Sequence, residues 1–157
     1  VLVLKKLGDE LLEEYLSIIQ HLGVDQNLSV LIEPSVYKEL HDQGVTDKMP
    51  YVDTWAEEDA PELHAFVDFV VCLGGDGLVL HATHLFGPAI PPIIAFRLGS
   101  LGFLTPHEYN VHMEHLDAVI NGSDVRCYFN LTIKELFSSL SLKISLFFYF
   151  FNPLIKA

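Results

Sequence analysis

Basic residues are scarce in this chain: 9 Lys and Arg stand against 21 Asp and Glu over 157 residues, a formal charge of −12. The deficit is uneven, with 20 acidic and 6 basic residues in 1–126 and only 1 and 3 in 127–157. An acidic body repels nucleic-acid backbones and anionic headgroups, which argues against nucleic-acid and membrane-surface partners. Any nucleotide site must therefore bring local donors or a divalent cation. Cysteine is nearly absent as well: Cys72 and Cys127 cannot make a disulfide framework, so a reducing, intracellular compartment is expected. The chain has no initiating Met and opens on a strand-like run, Val1-Leu2-Val3-Leu4, so it is expected to begin inside a longer protein. Only Leu136–Ile155 has the length of a membrane span, and Lys143 near its centre would cost about 2.5–3.5 kcal/mol there, so no membrane segment is assigned.

What is present is an alternation of apolar runs and helical periodicity. Val1–Leu4 reads as a strand, and Leu11, Leu12, Tyr15, Leu16, Ile18, Ile19 and Leu22 recur at helical spacing after a start near Asp9, with Gly23 as the stop. Leu28–Ile32 is a second strand, and Pro34 opens a short helix toward Leu40. Asp42–Pro61 reads as loop with a brief strand at Tyr51–Trp55 and a solvated acidic patch, Glu57-Glu58-Asp59. Phe66–Leu73 is the next strand, Leu78–Phe86 a helix stopped by Gly87-Pro88, and Ile93–Phe96 a further strand. Pro106 is expected to begin the last helix, closed by Asn121-Gly122. Strands alternating with helices predict an α/β fold with a doubly wound, mostly parallel sheet over 1–126 and ligands at the carboxyl ends of the strands. Residues 127–157 form a divergent apolar tail in which Leu140, Leu142, Ile144 and Leu146 alternate with polar residues.

Two Gly-bearing loops lie at such strand ends. Gly74-Gly75-Asp76-Gly77 follows an apolar strand and precedes a helix, so it reads as a phosphate site: glycines reach φ > 0 and let backbone N–H groups approach an anion at a helix N-terminus. Asp76 is the odd member. A carboxylate there repels phosphate unless it binds a metal, takes a proton from a substrate hydroxyl, or caps the helix. The second loop, Arg97-Leu98-Gly99-Ser100-Leu101-Gly102-Phe103-Leu104-Thr105, carries two more glycines that alone would pass for turn residues. His81, His84, His107, His112 and His115 invite a zinc reading, but no Cys or acidic partner completes a ligand set at recognisable spacing. A nicotinamide-dependent dehydrogenase would need Gly-x-Gly-x-x-Gly after the first strand, where Lys5-Lys6-Leu7-Gly8 stands instead.

The pair of loops, separated by one helix and one strand, resembles the signature of the NAD kinase family. The stretches Val1–Lys6, Phe69–Leu73 and Leu78–Ala82 look most like the plant members. The resemblance implies transfer of the γ-phosphoryl group of ATP to the 2′-hydroxyl of the adenosine ribose of NAD, giving NADP, with Mg²⁺ or another divalent cation. It implies Asp76 as general base, Gly74, Gly75 and Gly77 against the dinucleotide and phosphates, and Gly99, Gly102 and Phe103 as the wall of the NAD pocket. Chloroplast or cytoplasm is the implied compartment.

The chain departs from the family pattern at three places. Leu78 stands where Thr is usual, Arg97 stands where Asn is frequent, and 127–157 lacks the Asn-Glu or Asn-Asp pair of the β-rich C-terminal domain that the tail replaces. The expectation is a truncated kinase, weak or inactive alone. A noncatalytic nucleotide-binding or subunit-pairing fragment, with homo-oligomer contacts through exposed sheet edges, is the alternative. A diacylglycerol-type lipid kinase, which has a similar first loop, is disfavoured by the acidic body.

Overall fold

The computed structural model describes residues 1–6, 8–99 and 102–122. The expected tail periodicity and Cys127 lie outside the described residues. Six strands form one parallel sheet: β1 (Leu2–Lys5), β2 (Val30–Ile32), β3 (Val52–Asp53), β4 (Val70–Leu73), β5 (Ile93–Arg97) and β6 (His107–Glu108), in the order β3-β2-β1-β4-β5-β6. The chain winds outward from β1 to β3, then jumps back to lay β4 on the other side of β1. That reversal creates a crevice at the carboxyl ends of β1 and β4, where doubly wound sheets bind ligands.

Both faces of the sheet are buried, which is why its strands are continuously apolar. Alternate residues divide between two cores: Val3, Val71, Leu73, Ile94 and Phe96 face one, Leu2, Leu4, Val70, Cys72, Ile93 and Ala95 the other. The first core is covered by α1 (Leu12–Gln20), α2 (Pro34–Asp42) and α4 (His112–Ile120) through Tyr15, Ile18, Ile19, Val36, Leu40 and Leu116. The second is covered by α3 (Asp76–Phe86) and by 3₁₀ turns over Glu57–Ala65, through Val79, Ala82, Phe86 and Leu63. Cys72 is a fully buried core residue whose thiol is pushed up by burial and, secondarily, by Glu33.

Several boundaries differ from the sequence expectations, each for a physical reason. Gly23 does not stop the first helix, which continues as a π turn, His21–Asp25. Glycine is needed there for space, because a Cβ at Gly23 would enter the ring of Tyr51. The acidic stretch 57–65 is 3₁₀ rather than loop, with Pro61 inside and Leu63 buried. The fourth strand begins at Val70, not Phe66, whose side chain faces solvent. Pro106 leads into β6 rather than a helix; α4 starts at His112 after a 3₁₀ turn, Tyr109–Val111.

The helix α4 is tied by polar contacts to the segment after α1, more than 90 residues earlier in the chain. Asp117 Oδ1 lies 2.7 Å from the buried ring of His21 and accepts from Gln26 Nε2 at 2.8 Å. His112 donates from Nδ1 to the Tyr109 carbonyl at 2.6 Å and stacks on the Tyr109 ring, while its buried Nε2 has no hydrogen-bond partner. Desolvation lowers the His112 pKa, an effect opposed by the Tyr109 hydrogen bond and reinforced by His21.

Two outcomes are expected. Gly23→Ala forces the Tyr51 ring to move and should destabilise the chain by about 1–3 kcal/mol, a cost largely removed in a Tyr51→Ala background, measured by a denaturant double-mutant cycle. Because the His112 pKa is lower in the folded than in the unfolded state, protons bind the unfolded state first. Stability should therefore fall as pH drops below about 6.5, and His112→Phe should flatten that slope in urea titrations across the range.

Candidate functional site

The site is built at the carboxyl edge by two segments. The first is the β4–α3 junction, where the helix starts at Asp76, two residues earlier than the sequence suggests, so Asp76 and Gly77 form its first turn. Gly75 is the N-cap in an extended conformation (φ −94°, ψ −177°), and its carbonyl accepts the Leu78 N–H at 3.0 Å. Neither Gly75 nor Gly77 has a positive φ, and a Cβ on either would meet nothing within 4 Å. Neither an unusual dihedral nor packing among the described residues requires glycine at these two positions. At Gly74 both conformation and packing call for glycine: its φ is +157°, and a Cβ there would press on Lys6 Cβ at 3.3 Å and touch Leu78 Cδ2 at 3.5 Å. Leu78 thus lies over the junction as an apolar contact where the family pattern has a hydroxyl.

The second segment connects β5 to β6. These strands are parallel, yet Phe96 pairs with His107 and Arg97 with Glu108, so the connection must arch over the carboxyl edge and double back. Gly99, at φ +111°, allows the reversal. Arg97 braces both ends of the arch: Nη1 donates to the Gly99 carbonyl and Nη2 to Glu108 Oε1, each at 2.7 Å. The cation that replaces Asn is therefore paired with an acid and holds the loop. Outside the arch lies a shallow cleft of about 370 Å³ lined by Arg97, Leu98, Gly99, Glu108, Tyr109 and Asn110.

Asp76 joins the two segments. Its Oδ2 accepts the Phe103 N–H at 2.8 Å, and its Oδ1 accepts the Leu104 N–H at 2.9 Å and the Thr105 hydroxyl at 3.2 Å. The N-cap position is Gly75 rather than Asp76, and among the described residues the carboxylate's bonds go to the second loop, so the helix-cap reading does not describe it. Gly102 exists for this contact: a Cβ there would collide with Asp76 Oδ1 and Thr105 Oγ1. Thr105, only 1% exposed, was not singled out in the sequence; its signal was its place at the end of the second loop. Phe103 follows Gly102 with its side chain 78% exposed on the rim of the site.

The structure thus brings Gly74, Gly75, Asp76, Gly77, Gly99, Gly102 and Phe103 to one edge. A carboxylate has about four lone-pair positions, and the described residues engage three of them, which leaves one on Oδ2 among these contacts for a further donor. Among the described residues no three His, Cys, Asp or Glu side chains converge as metal ligands. No helix among the described residues is long and apolar enough to cross a membrane.

Residues 1–124 match the family model of the ATP-NAD kinase N-terminal domain. The chain is 46% identical over 127 residues to "Probable NAD kinase 2, chloroplastic" of Oryza sativa subsp. japonica, which covers 79% of this chain and 12% of that protein. It is equally 46% identical to "NAD kinase 2, chloroplastic" of Arabidopsis thaliana, with the same coverage. Among solved structures it resembles yeast NADH kinase complexed with NADH, with a TM-score of 0.63 and 29% identity over 76% of this chain and 37% of that one. The chain therefore spans about an eighth of the length of these plant relatives.

If the carboxylate clamp orders the arch, Gly102→Ala should speed amide exchange at Phe103 and Leu104 by tenfold or more, and Thr105→Val by less, in hydrogen-exchange NMR. Unchanged protection in Gly102→Ala would mean that the arch holds itself.

Proposed function

The chain belongs to the NAD kinase family, and from that premise we propose that its carboxyl edge is the half-site at which ATP phosphorylates the 2′-hydroxyl of the adenosine ribose of NAD. One observation carries the reading: the two signature loops form a single site because the Asp76 carboxylate bonds directly to the second of them. In the proposed step the ribose oxygen forms a bond to the γ-phosphorus as the bond to the β–γ bridging oxygen breaks. Asp76 receives the hydroxyl proton through the remaining lone pair of Oδ2.

The chain's own contribution is mainly positioning, which phosphoryl transfer rewards. The arch, fixed by Asp76 and Arg97, presents Phe103 for contact with a flat ring of the dinucleotide, and open space at Gly75 and Gly77 lets backbone approach the phosphates. The divalent cation enters as part of the metal–triphosphate substrate, held by phosphate oxygens and water. NADH bound to the yeast relative supports a dinucleotide as the ligand, and the names of the two plant relatives favour the chloroplast as the compartment.

Slow NADP formation is expected from the purified chain with NAD and Mg·ATP, measured by a cycling assay. Asp76→Asn should lower it by about 10²–10⁴-fold, the scale of general acid–base catalysis. Equal rates in the two proteins would remove the base role, and a parent chain that neither turns over NAD nor binds it by calorimetry would overturn the kinase reading.

A further inference from the structure

We infer that Lys6 is a phosphate-contacting residue of the donor subsite, so that the triphosphate lies across the ends of β1 and β4 with Lys6 on one side and the first turn of α3 on the other. This rests on the kinase reading above and adds a residue that neither signature loop contains.

The reasoning starts from charge. Transfer between nucleotides brings several negative charges to a chain whose formal charge is −12. The described residues include only Lys5, Lys6, Lys38, Lys48 and Arg97 as permanent cations. Lys38 lies within α2 and Lys48 in the 3₁₀ turn Thr46–Lys48, and neither directly follows a strand that neighbours β4 in the sheet. Arg97 is bound to Glu108 and the Gly99 carbonyl. Lys5 is buried, its Nζ donating to the Gly8 carbonyl at 2.7 Å, so it shapes the turn after β1.

Lys6 is differently placed. It directly follows β1, the strand beside β4 at the reversal in winding, and its N–H donates to the Leu73 carbonyl at 3.1 Å. Its Cβ lies 3.3 Å from where a Cβ of Gly74 would be, so its stem abuts the first residue of the signature loop. The side chain is 66% exposed, and its ammonium has a loose pairing with Glu10, 3.8 Å away and itself 83% exposed. An ion pair that open is weak and easily exchanged for a stronger partner. The unfilled space at Gly75 and Gly77 lies on the same junction, so a phosphate approaching the backbone there comes within the sweep of a long lysine side chain.

The test is calorimetry on the full chain with inorganic tripolyphosphate and, in parallel, with NAD. Lys6→Ala should weaken tripolyphosphate binding about tenfold or more and leave NAD affinity within twofold. Lys6→Arg should retain tripolyphosphate binding, Glu10→Gln should strengthen it, and Lys38→Ala should leave it unchanged. Melting temperatures should stay close to that of the parent chain because Lys6 is exposed. Equal tripolyphosphate affinity in Lys6→Ala and the parent, with NAD still bound, would overturn the assignment and leave the kinase reading standing. A parent chain that binds neither probe would overturn both.

Discussion

The Asp76 carboxylate, shared between the start of α3 and the arch after β5, is the interaction on which the rest of this site depends. A parallel sheet delivers every strand–helix junction to one edge, but it does not fix how neighbouring junctions meet. Two backbone N–H groups and one hydroxyl converging on one carboxylate do so here. Charge-assisted bonds of this type are about twice as strong as neutral ones, and three from one loop make its position definite. The rest follows from that contact. Gly102 must lack a Cβ, Thr105 must be buried, and Arg97 must hold the far side of the arch for Phe103 to stand on the rim.

This arrangement also explains how one carboxylate can occupy a loop proposed to bind phosphate in an acidic chain. Asp76 is not an uncompensated charge facing the ligand, because donors from the second loop take up three of its lone-pair positions. The remaining position is aimed by the same contacts. Orientation and acceptor capacity are thus set together, and the negative charge is balanced by dipoles rather than by a side-chain cation.

Much of the architecture was legible because parallel strands buried on both faces must be apolar throughout. The runs at Val1–Leu4, Val70–Leu73 and Ile93–Phe96 carried that signal and fixed the fold class, as the two glycine loops fixed the family. Failures occurred where periodicity has too few residues to register. The two-residue strand at His107–Glu108 was hidden behind Pro106, which is equally at home before a strand and at a helix start. Gly77 made the first turn of α3 resemble loop, although a first turn tolerates glycine at small cost. The reason for Gly102 was the least legible of all. It depends on a side chain 26 residues earlier in the chain, and nothing local distinguishes it from a turn glycine. The departure at Arg97 was visible in the sequence, but its bonds to the Gly99 carbonyl and to Glu108 depend on how the arch folds back on β6.

The central claim is that one carboxylate holds both loops, and amide NMR of the isotopically labelled chain beside its Asp76→Ala variant tests it most directly. The Phe103 and Leu104 amide protons should move upfield and lose protection from exchange in the variant, since the acceptor those amides use is gone. Shifts and protection at these two amides unchanged in Asp76→Ala would contradict it.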